Sequence, residues 1–471
     1  MGAEAYRFVD FLYEAKMTWW QLLPVGPTGM GDSPYSGFSV FAGNPYYIDL
    51  DLLVEDGLLE EKEVLDAGME NDSDKVDYET LRKKRMPLLR LAAQRADAAL
   101  RQDVSTFCQE NGWVNDYALY MALKGYYEDR PWFEWEDEGI RLHQPEAIKR
   151  YNELLQEEVW FHAFLQYVFD HQWSALKQYA NKRGIRLFGD VAIYVSMDSA
   201  DVWSQREFFQ LNAQGKATRV AGVPPDAFSE DGQLWGNPLY NWQAMKQDGY
   251  GWWIRRIDGA AKRYDCIRID HFRGLESYWS IPADSETAKV GLWEKGPGMD
   301  LIGVLNGWFH GLSFVAEDLG ILTHDVRLLL RDSGWPGMNV LQFAFTDGQI
   351  SSYMPHNHER NSVCYVGTHD NDTLEGWLSN SSPEDLAWAS DYFGVQQKNL
   401  GEAMLHACLT SVCDTAILCA QDLLGLGSEA RTNVPGVADG NWRWRLKKGE
   451  LTDSIAAQWA RVVCATGRNS R

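Results

Sequence analysis

The chain has 471 residues, 45% of them hydrophobic and 24% charged, with 67 acidic against 44 basic side chains and a formal net charge of −23. That length fits two or three domains, or one large α/β barrel with insertions. The acidic balance, with no clustered Lys/Arg stripe, argues against a nucleic-acid partner, since phosphate binding needs a basic surface, and no apolar run reaches the length of a membrane span.

Aromatic residues are abundant, with 21 Trp, 21 Tyr and 19 Phe. Their flat faces suit sugar rings, but they fill cores equally well. The seven cysteines are an odd number in a large chain without a secretory signal and read as reduced, buried thiols of a cytosolic protein. Cys408, Cys413 and Cys419 are spaced C-x4-C-x5-C with no His cluster, which speaks against zinc.

The chain opens on a helix, with Ala5, Phe8, Val9 and Leu12 at i, i+3, i+4, i+7 spacing. A strand follows at 19–25, "WWQLLPV". Residues 52–183 are predicted to be a largely helical insertion that contains "YETLRKKRMPLLRLAAQRADAAL". Six further strands are expected at 185–194, 264–271, 312–318, 338–345, 363–369 and 415–424. Short apolar runs alternating with helical stretches suggest a mostly parallel sheet with crossover helices. The division is 1–51 as the start of a catalytic barrel, 52–183 as a helical subdomain, and 184–471 as the rest of the barrel. Seven strands plus a leading helix give a (β/α)8 TIM barrel whose first strand is not encoded in the chain.

Several runs end in charge. Asp190 ends "LFGD", Asp270 follows "CIRI", Glu317 and Asp318 follow "FVA", and Asp370 and Asp372 follow "VCYVGTH". In such barrels the reactive groups sit at the C-terminal ends of the strands. A single carboxylate there is an ordinary surface residue, but four at one edge are costly unless they do chemistry. Paired carboxylates suit cleavage of a glycosidic bond: one attacks the anomeric carbon and the other protonates the leaving oxygen. At about 5 Å apart they give retention through a covalent intermediate. Asp270 and Glu317 end consecutive strands. Arg268, two residues before Asp270, shares its side of the strand and favours its ionised form; the plain alternative is a structural salt bridge. The stretch 222–238, "GVPPDAFSEDGQLWGNP", combines stiffening prolines with Gly222, Gly232 and Gly236. Phe228 and Trp235 suit apolar sugar faces, and Asp226 and Gln233 suit hydroxyls. Taken alone it reads equally as a surface loop.

The ordered stretches "RIDHFRG", "AEDLG" and "GTHDND" resemble the 4-α-glucanotransferases of glycoside hydrolase family 77, relatives of the α-amylases. "GDSPYSGFSVFAGNPYYIDL", "GVPPDAFSEDGQLWGNPLYNW", "PGMNVLQFAF" and "NVPGVADGNWRWR" resemble that family more narrowly. The resemblance implies Asp270 as nucleophile, Glu317 as acid/base and Asp370 as the third carboxylate, which binds sugar hydroxyls. It implies sugar contacts from His271 and His369, with Arg268 and Asp190 in support and Asp318 as a further binding residue. It makes 222–238 a lid, with Tyr35, Phe343 and Asn433 lining the same groove. His356 and His358 match nothing and read as solvated loop. The implied partners are maltodextrins and other α-1,4-glucans, with no cofactor or metal, in the cytoplasm. The resemblance also implies a segment ahead of "EAYRFVDFL" that supplies the first strand, so an upstream-extended form is expected to be more stable. Two alternatives stay open: an α-amylase-type hydrolase, which would produce no longer chains from maltotriose, and an inactive glucan-binding protein.

Overall fold

The computed structural model describes residues 1–69, 73–225, 230–320, 322–346, 350–437 and 439–470. Its strands in chain order are β1 (Trp19–Gln21), β2 (Arg186–Val191), β3 (Arg219–Val223), β4 (Gln233–Pro238), β5 (Cys266–Ile269), β6 (Ser277–Pro282), β7 (Leu292–Lys295), β8 (Ser313–Ala316), β9 (Gly337–Val340), β10 (Ser362–Tyr365) and β11 (Thr415–Ile417). All seven expected strands are present, each shorter than the apolar run that signalled it. Two runs change conformation past the strand: Leu341–Ala344 turns into a 3-10 helix and Ala420–Leu424 into an α-helix.

The seven are parallel and follow one another in order. One sheet runs β1-β2-β5-β8, the other β9-β10-β11. The Ala316 amide donates to the Pro336 carbonyl at 2.9 Å, linking the end of β8 to the residue before β9. A separate apolar cluster takes side chains from all seven: Trp19, Phe188, Cys266, Val315, Met338 with Val340, Val363 with Tyr365, and Ile417. The intervening residues of these strands, such as Leu187, Ile267, Ile269, Phe314 and Cys364, join the larger cluster under the helices. Period-two alternation thus divides each strand between an inner and an outer core.

Helices run from Leu50 to Lys182, ending in the 27-residue helix Gln156–Lys182 that leads into β2. The opening helix spans Ala3–Glu14 and buries Val9, Phe11 and Leu12. Of the expected lid stretch, the ends form strands β3 and β4 of an unexpected antiparallel sheet, ordered β4-β3-β6-β7. Among the described residues, β1 pairs only with β2, and β11 only with β10. A cavity of about 830 Å³ lies by these two strands, lined by Phe8 and Leu12 of the opening helix and by Trp20, Leu22, Ala416 and Leu418. No helix of the described residues is long and apolar enough to cross a membrane.

Two sequence expectations need correction. His358 is not solvated: it is buried with 8% of its surface exposed, while His356 is exposed as expected. Of the cysteines, Cys266, Cys364, Cys408 and Cys413 are buried, but Cys464 is exposed.

Gly189 precedes Asp190 on β2, where a Cβ would stand 2.1 Å from a ring carbon of the buried Tyr264. Gly189→Ala is therefore expected to destabilise the fold by about 1–3 kcal/mol through overpacking. Chemical denaturation of the two proteins side by side checks this; equal midpoints would contradict the close packing.

Candidate active site

Strand alternation aims the reactive groups. On β5, Cys266 joins the inner cluster and Ile267 and Ile269 the outer one, so Arg268 and Asp270 share the inner side. On β8, Val315 is inner and Phe314 and Ala316 are outer, which brings Glu317 inward next. Ile269 stands opposite Ala316 in the parallel register. Asp270 and Glu317 therefore follow at the same level on adjacent strands, which lie about 4.8 Å apart. Hydrogen bonds of 3.0 Å from the Glu317 amide to the Ile269 carbonyl and from the Phe272 amide to the Glu317 carbonyl carry the ladder past both residues.

Arg268 lies between two carboxylates. Its Nη1 is 2.7 Å from Asp190 Oδ2 and 2.8 Å from Asp270 Oδ1. The Arg268 and Asp190 side chains are 4% and 1% exposed, whereas Asp270 keeps 28%, so Asp270 alone of the three is open to a substrate. Asp190 Oδ2 also accepts from the Tyr35 hydroxyl at 2.9 Å. Burial pushes Asp190 up to about 7 against the pull of Arg268.

Glu317 is held differently. Its Oε2 accepts from the His271 amide and its Oε1 from the Leu319 amide, both at 2.8 Å. These donors and the charge of Arg268 favour the carboxylate, but burial and the charge of Asp270 outweigh them and push Glu317 up to about 7. His271 has a left-handed backbone, with φ of +50°. The chain turns there from β5 into the 3-10 helix Phe272–Leu275, and the His271 amide meets Glu317. Burial lowers the His271 imidazole to about 4, so it is neutral at pH 7. The Trp235 ring, from β4, stands edge-to-face with it at 4.8 Å. Gln233 Oε1 accepts from Trp235 Nε1 at 3.1 Å.

The loop after β10 supplies the third carboxylate. Asp370 Oδ1 accepts from Asn433 Nδ2 at 2.6 Å and lies 3.4 Å from His369 Nε2, with the side chain 45% exposed. His369 Nε2 is 3.1 Å from the Tyr35 hydroxyl, and the rings stack at 5.5 Å. Since that hydroxyl gives its one proton to Asp190, His369 donates to it from Nε2. Burial lowers the His369 imidazole too. Tyr35 thus joins the Asp190–Arg268–Asp270 group to the His369–Asp370 group.

The remaining expected residues fall as follows. Asp318 turns toward β9, its Oδ1 accepting from the Met338 amide at 2.7 Å, and burial raises it to about 6. Phe343 packs edge-on to Tyr353 at 5.5 Å, and the Tyr353 hydroxyl accepts from the Gly320 amide. Asp226 and Phe228 lie outside the described residues.

Sequence reasoning missed Arg431 and Trp442. Arg431 donates to the Asn433 carbonyl at 2.8 Å and the Asp370 carbonyl at 2.7 Å, fastening one loop to the other. The Trp442 ring lies 5.9 Å from Tyr35 and 6.0 Å from His369. Trp442 falls within "NWRWR", but that run does not say which of its two Trp residues turns inward.

Replacing Arg268 by Met keeps volume and leaves Asp190 without its cation. Breaking a buried pair from one side costs about 3–5 kcal/mol. Arg268→Met is expected to lose that stability and at least 100-fold in activity, whereas Arg268→Met with Asp190→Asn regains most of the stability and none of the activity. Calorimetry and a rate assay check this; single and double variants that melt together would deny the bridge its structural part.

A family model described as 4-alpha-glucanotransferase, of glycoside hydrolase family 77, matches residues 1–452. A 4-alpha-glucanotransferase from Streptococcus pneumoniae is 44% identical over 96% of this chain and 91% of its own. One from Thermus thermophilus is 44% identical over 99% and 95% respectively. The solved amylomaltase from Streptococcus agalactiae, in complex with acarbose, superposes with a TM-score of 0.96 at 39% identity, covering 99% of this chain and 95% of that one. The amylomaltase from Corynebacterium glutamicum, 19% identical with a TM-score of 0.78, shares the fold over 97% of this chain and 72% of its own. With its carboxylates gathered at the ends of adjacent strands, and relatives of this similarity along nearly its full length, the chain belongs to the 4-alpha-glucanotransferases.

Proposed function

We propose that the chain moves segments of α-1,4-glucan to the 4-OH of an acceptor glucan or glucose by double displacement, with Asp270 as nucleophile and Glu317 as acid/base. One observation carries the roles: Arg268 contacts Asp270 and Asp190, while Glu317, on the neighbouring strand, is pushed up by burial to about 7. Asp270 attacks the anomeric carbon as the glycosidic C–O bond breaks, and Glu317 gives its proton to the leaving 4-oxygen. Glu317 then takes the proton of the acceptor hydroxyl, whose oxygen displaces Asp270 from the same carbon. Two inversions at that carbon give retention, and the spacing of adjacent strands suits the short carboxyl separation this requires. Every bond is made and broken by these two groups.

Asp370, His271, His369 and Asn433 supply polar atoms for the hydroxyls of the sugar at the cleavage point, and Tyr35 and Asp190 brace them. Trp235, Gln233 and Phe343 border the groove for the rest of the chain. We further infer that the seven parallel strands wall a barrel of the (β/α)8 kind. The inner cluster drawn from all seven supports this, as does the 3.0 Å hydrogen bond from Tyr365 of β10 to Gln21 of β1. Transfer rather than hydrolysis follows where the covalent intermediate is shielded from water and offered a sugar hydroxyl. The Trp235 edge over His271 supports such a cover.

Maltotriose tests the reaction: transfer yields glucose together with longer chains, and hydrolysis yields no longer chains. Asp270→Asn is expected to abolish disproportionation while glucan binding persists; a near-normal rate would remove Asp270 as nucleophile. Glu317→Gln is expected to lose about 10²–10⁴-fold on maltotriose but about tenfold or less in consuming glucosyl fluoride, whose leaving group needs little protonation. Because Glu317 must carry its proton to act as acid, kcat/KM on maltotriose should fall as pH rises through about 7. That alkaline limb should vanish for Glu317→Gln assayed with the fluoride. A limb that stayed would assign it to another group.

A further inference from the structure

His358, Cys364 and Cys413 come from three separate segments and meet beneath the strands. One ligand atom from each lies within 4.8 Å of the others, and all three residues are buried. His358 precedes β10, Cys364 is on the outer side of β10, and Cys413 joins the helix Leu400–Thr410 to β11. The cluster thus sits toward the N-terminal ends of the strands, opposite the carboxylates. A barrel uses that end for stability rather than catalysis.

The geometry around the three groups is that of a prepared ligand set. His358 Nε2 is 2.9 Å from the Tyr353 carbonyl oxygen. A carbonyl only accepts, so Nε2 carries the hydrogen and Nδ1 presents its lone pair. That lone pair meets Cys413 Sγ at 3.6 Å. A backbone carbonyl fixing the tautomer from behind is the usual support of a metal-binding imidazole. Around a tetrahedral zinc ion, with Zn–S of about 2.3 Å and Zn–N of about 2.0–2.1 Å, an S···N pair is about 3.6 Å apart and an S···S pair about 3.8 Å. Polar atoms also face the Cys413 sulfur: the Asn339 amide donates from 3.7 Å, and the Ser362 hydroxyl, whose proton goes to the Glu359 carbonyl at 2.6 Å, lies at 3.1 Å. Such an amide donor holds a thiolate without competing for a soft cation. Cys408 stands beside the set but outside it, its thiol donating to the Cys364 carbonyl oxygen at 3.3 Å.

We propose that His358 Nδ1, Cys364 Sγ and Cys413 Sγ form a structural site for one soft, thiophilic d10 cation. Thiolate and imidazole select zinc or copper(I) over the hard cations. Binding would tie the loop before β10 to the turn before β11, adding a clamp at the foot of two strands. The catalytic chemistry does not pass through it. The spacing C-x4-C-x5-C hid the site, because only one of those three cysteines belongs to the set.

The test uses the full chain, purified under reducing conditions and equilibrated separately with zinc, cobalt(II) and copper(I), followed by dialysis and elemental analysis. The expected result is one zinc or one copper(I) per chain, an intense near-ultraviolet thiolate band with cobalt(II) that zinc abolishes, and a melting temperature raised by several degrees in the bound form. Cys413→Ala and His358→Gln should each lose at least tenfold in affinity, with transfer activity kept in whichever variant folds. The wild-type measurements stand by themselves should both variants misfold. Less than about one-tenth equivalent of each cation in the wild type, with no cobalt–thiolate band, would make the group a plain hydrogen-bonded core cluster and overturn the proposal. Equal binding by the wild type and a folded Cys413→Ala would overturn it as well.

Discussion

The arrangement of the site depends on a cation placed where water cannot reach it. A guanidinium of which 4% is exposed would be untenable alone, since an unpaired buried charge costs several kcal/mol. Arg268 meets that cost with two carboxylates, one fully enclosed and one facing the open end. The enclosed partner, Asp190, anchors the pair to β2, and the open partner is the residue assigned to attack. Because the guanidinium is planar and carries several donors, it fixes direction as well as charge. Tyr35 then extends the same network to His369 and, through it, to Asp370. A change at any of these positions is felt at the others through hydrogen bonds rather than through the backbone.

The same alternation that builds the core also aims the chemistry. Cys266, Arg268 and Asp270 face inward in turn, so the apolar interior grades into the charged site without a change of conformation. The outer residues Ile267 and Ile269 pack against helices. Strand β10 obeys the same rule with a different use. Val363 and Tyr365 fill the interior, and Cys364, between them, faces outward to the thiol and imidazole cluster. One strand therefore serves the interior and the cluster with alternate residues, and leads at its far end into the loop of His369 and Asp370.

Much of this was legible in the sequence. Seven apolar runs, several of them carrying a carboxylate at or near the end, correspond to seven parallel strands in order, because a run buried on both faces needs β-branched and aromatic residues throughout. The ends of the runs were less legible: Leu341–Ala344 and Ala420–Leu424 are apolar enough for a strand but coil into helix. Apolarity measures burial, and buried helix and buried strand look alike over five residues. The carboxylates were found because charge after an apolar run is costly and hence conspicuous. Arg431 and Trp442 were not, because a loop residue reveals nothing of a partner far away in the chain. Asp318 shows the opposite case: it lies next to Glu317 yet turns to the Met338 amide of β9. His358 was read as solvated because it matches no motif of the family, and only the fold reveals the sulfur beside it.

The two central carboxylates differ in their partners. Glu317 receives two backbone amides, which by themselves favour the ionised form, yet enclosure raises it to about 7 because it makes no ion pair among the described residues. Asp270 faces the same interior with a guanidinium at 2.8 Å. A glucan filling the groove would displace water from both. Less water strengthens the attraction between Arg268 and Asp270 and deepens the desolvation of Glu317. In the proposed mechanism, filling the groove thus widens the difference between the two carboxylates instead of erasing it. The neutral imidazoles of His271 and His369 fit that scheme: each is lowered by burial, so neither adds a positive charge that would pull the proton off Glu317. The difference between the two carboxylates rests on where one arginine is placed, and the strand period places it.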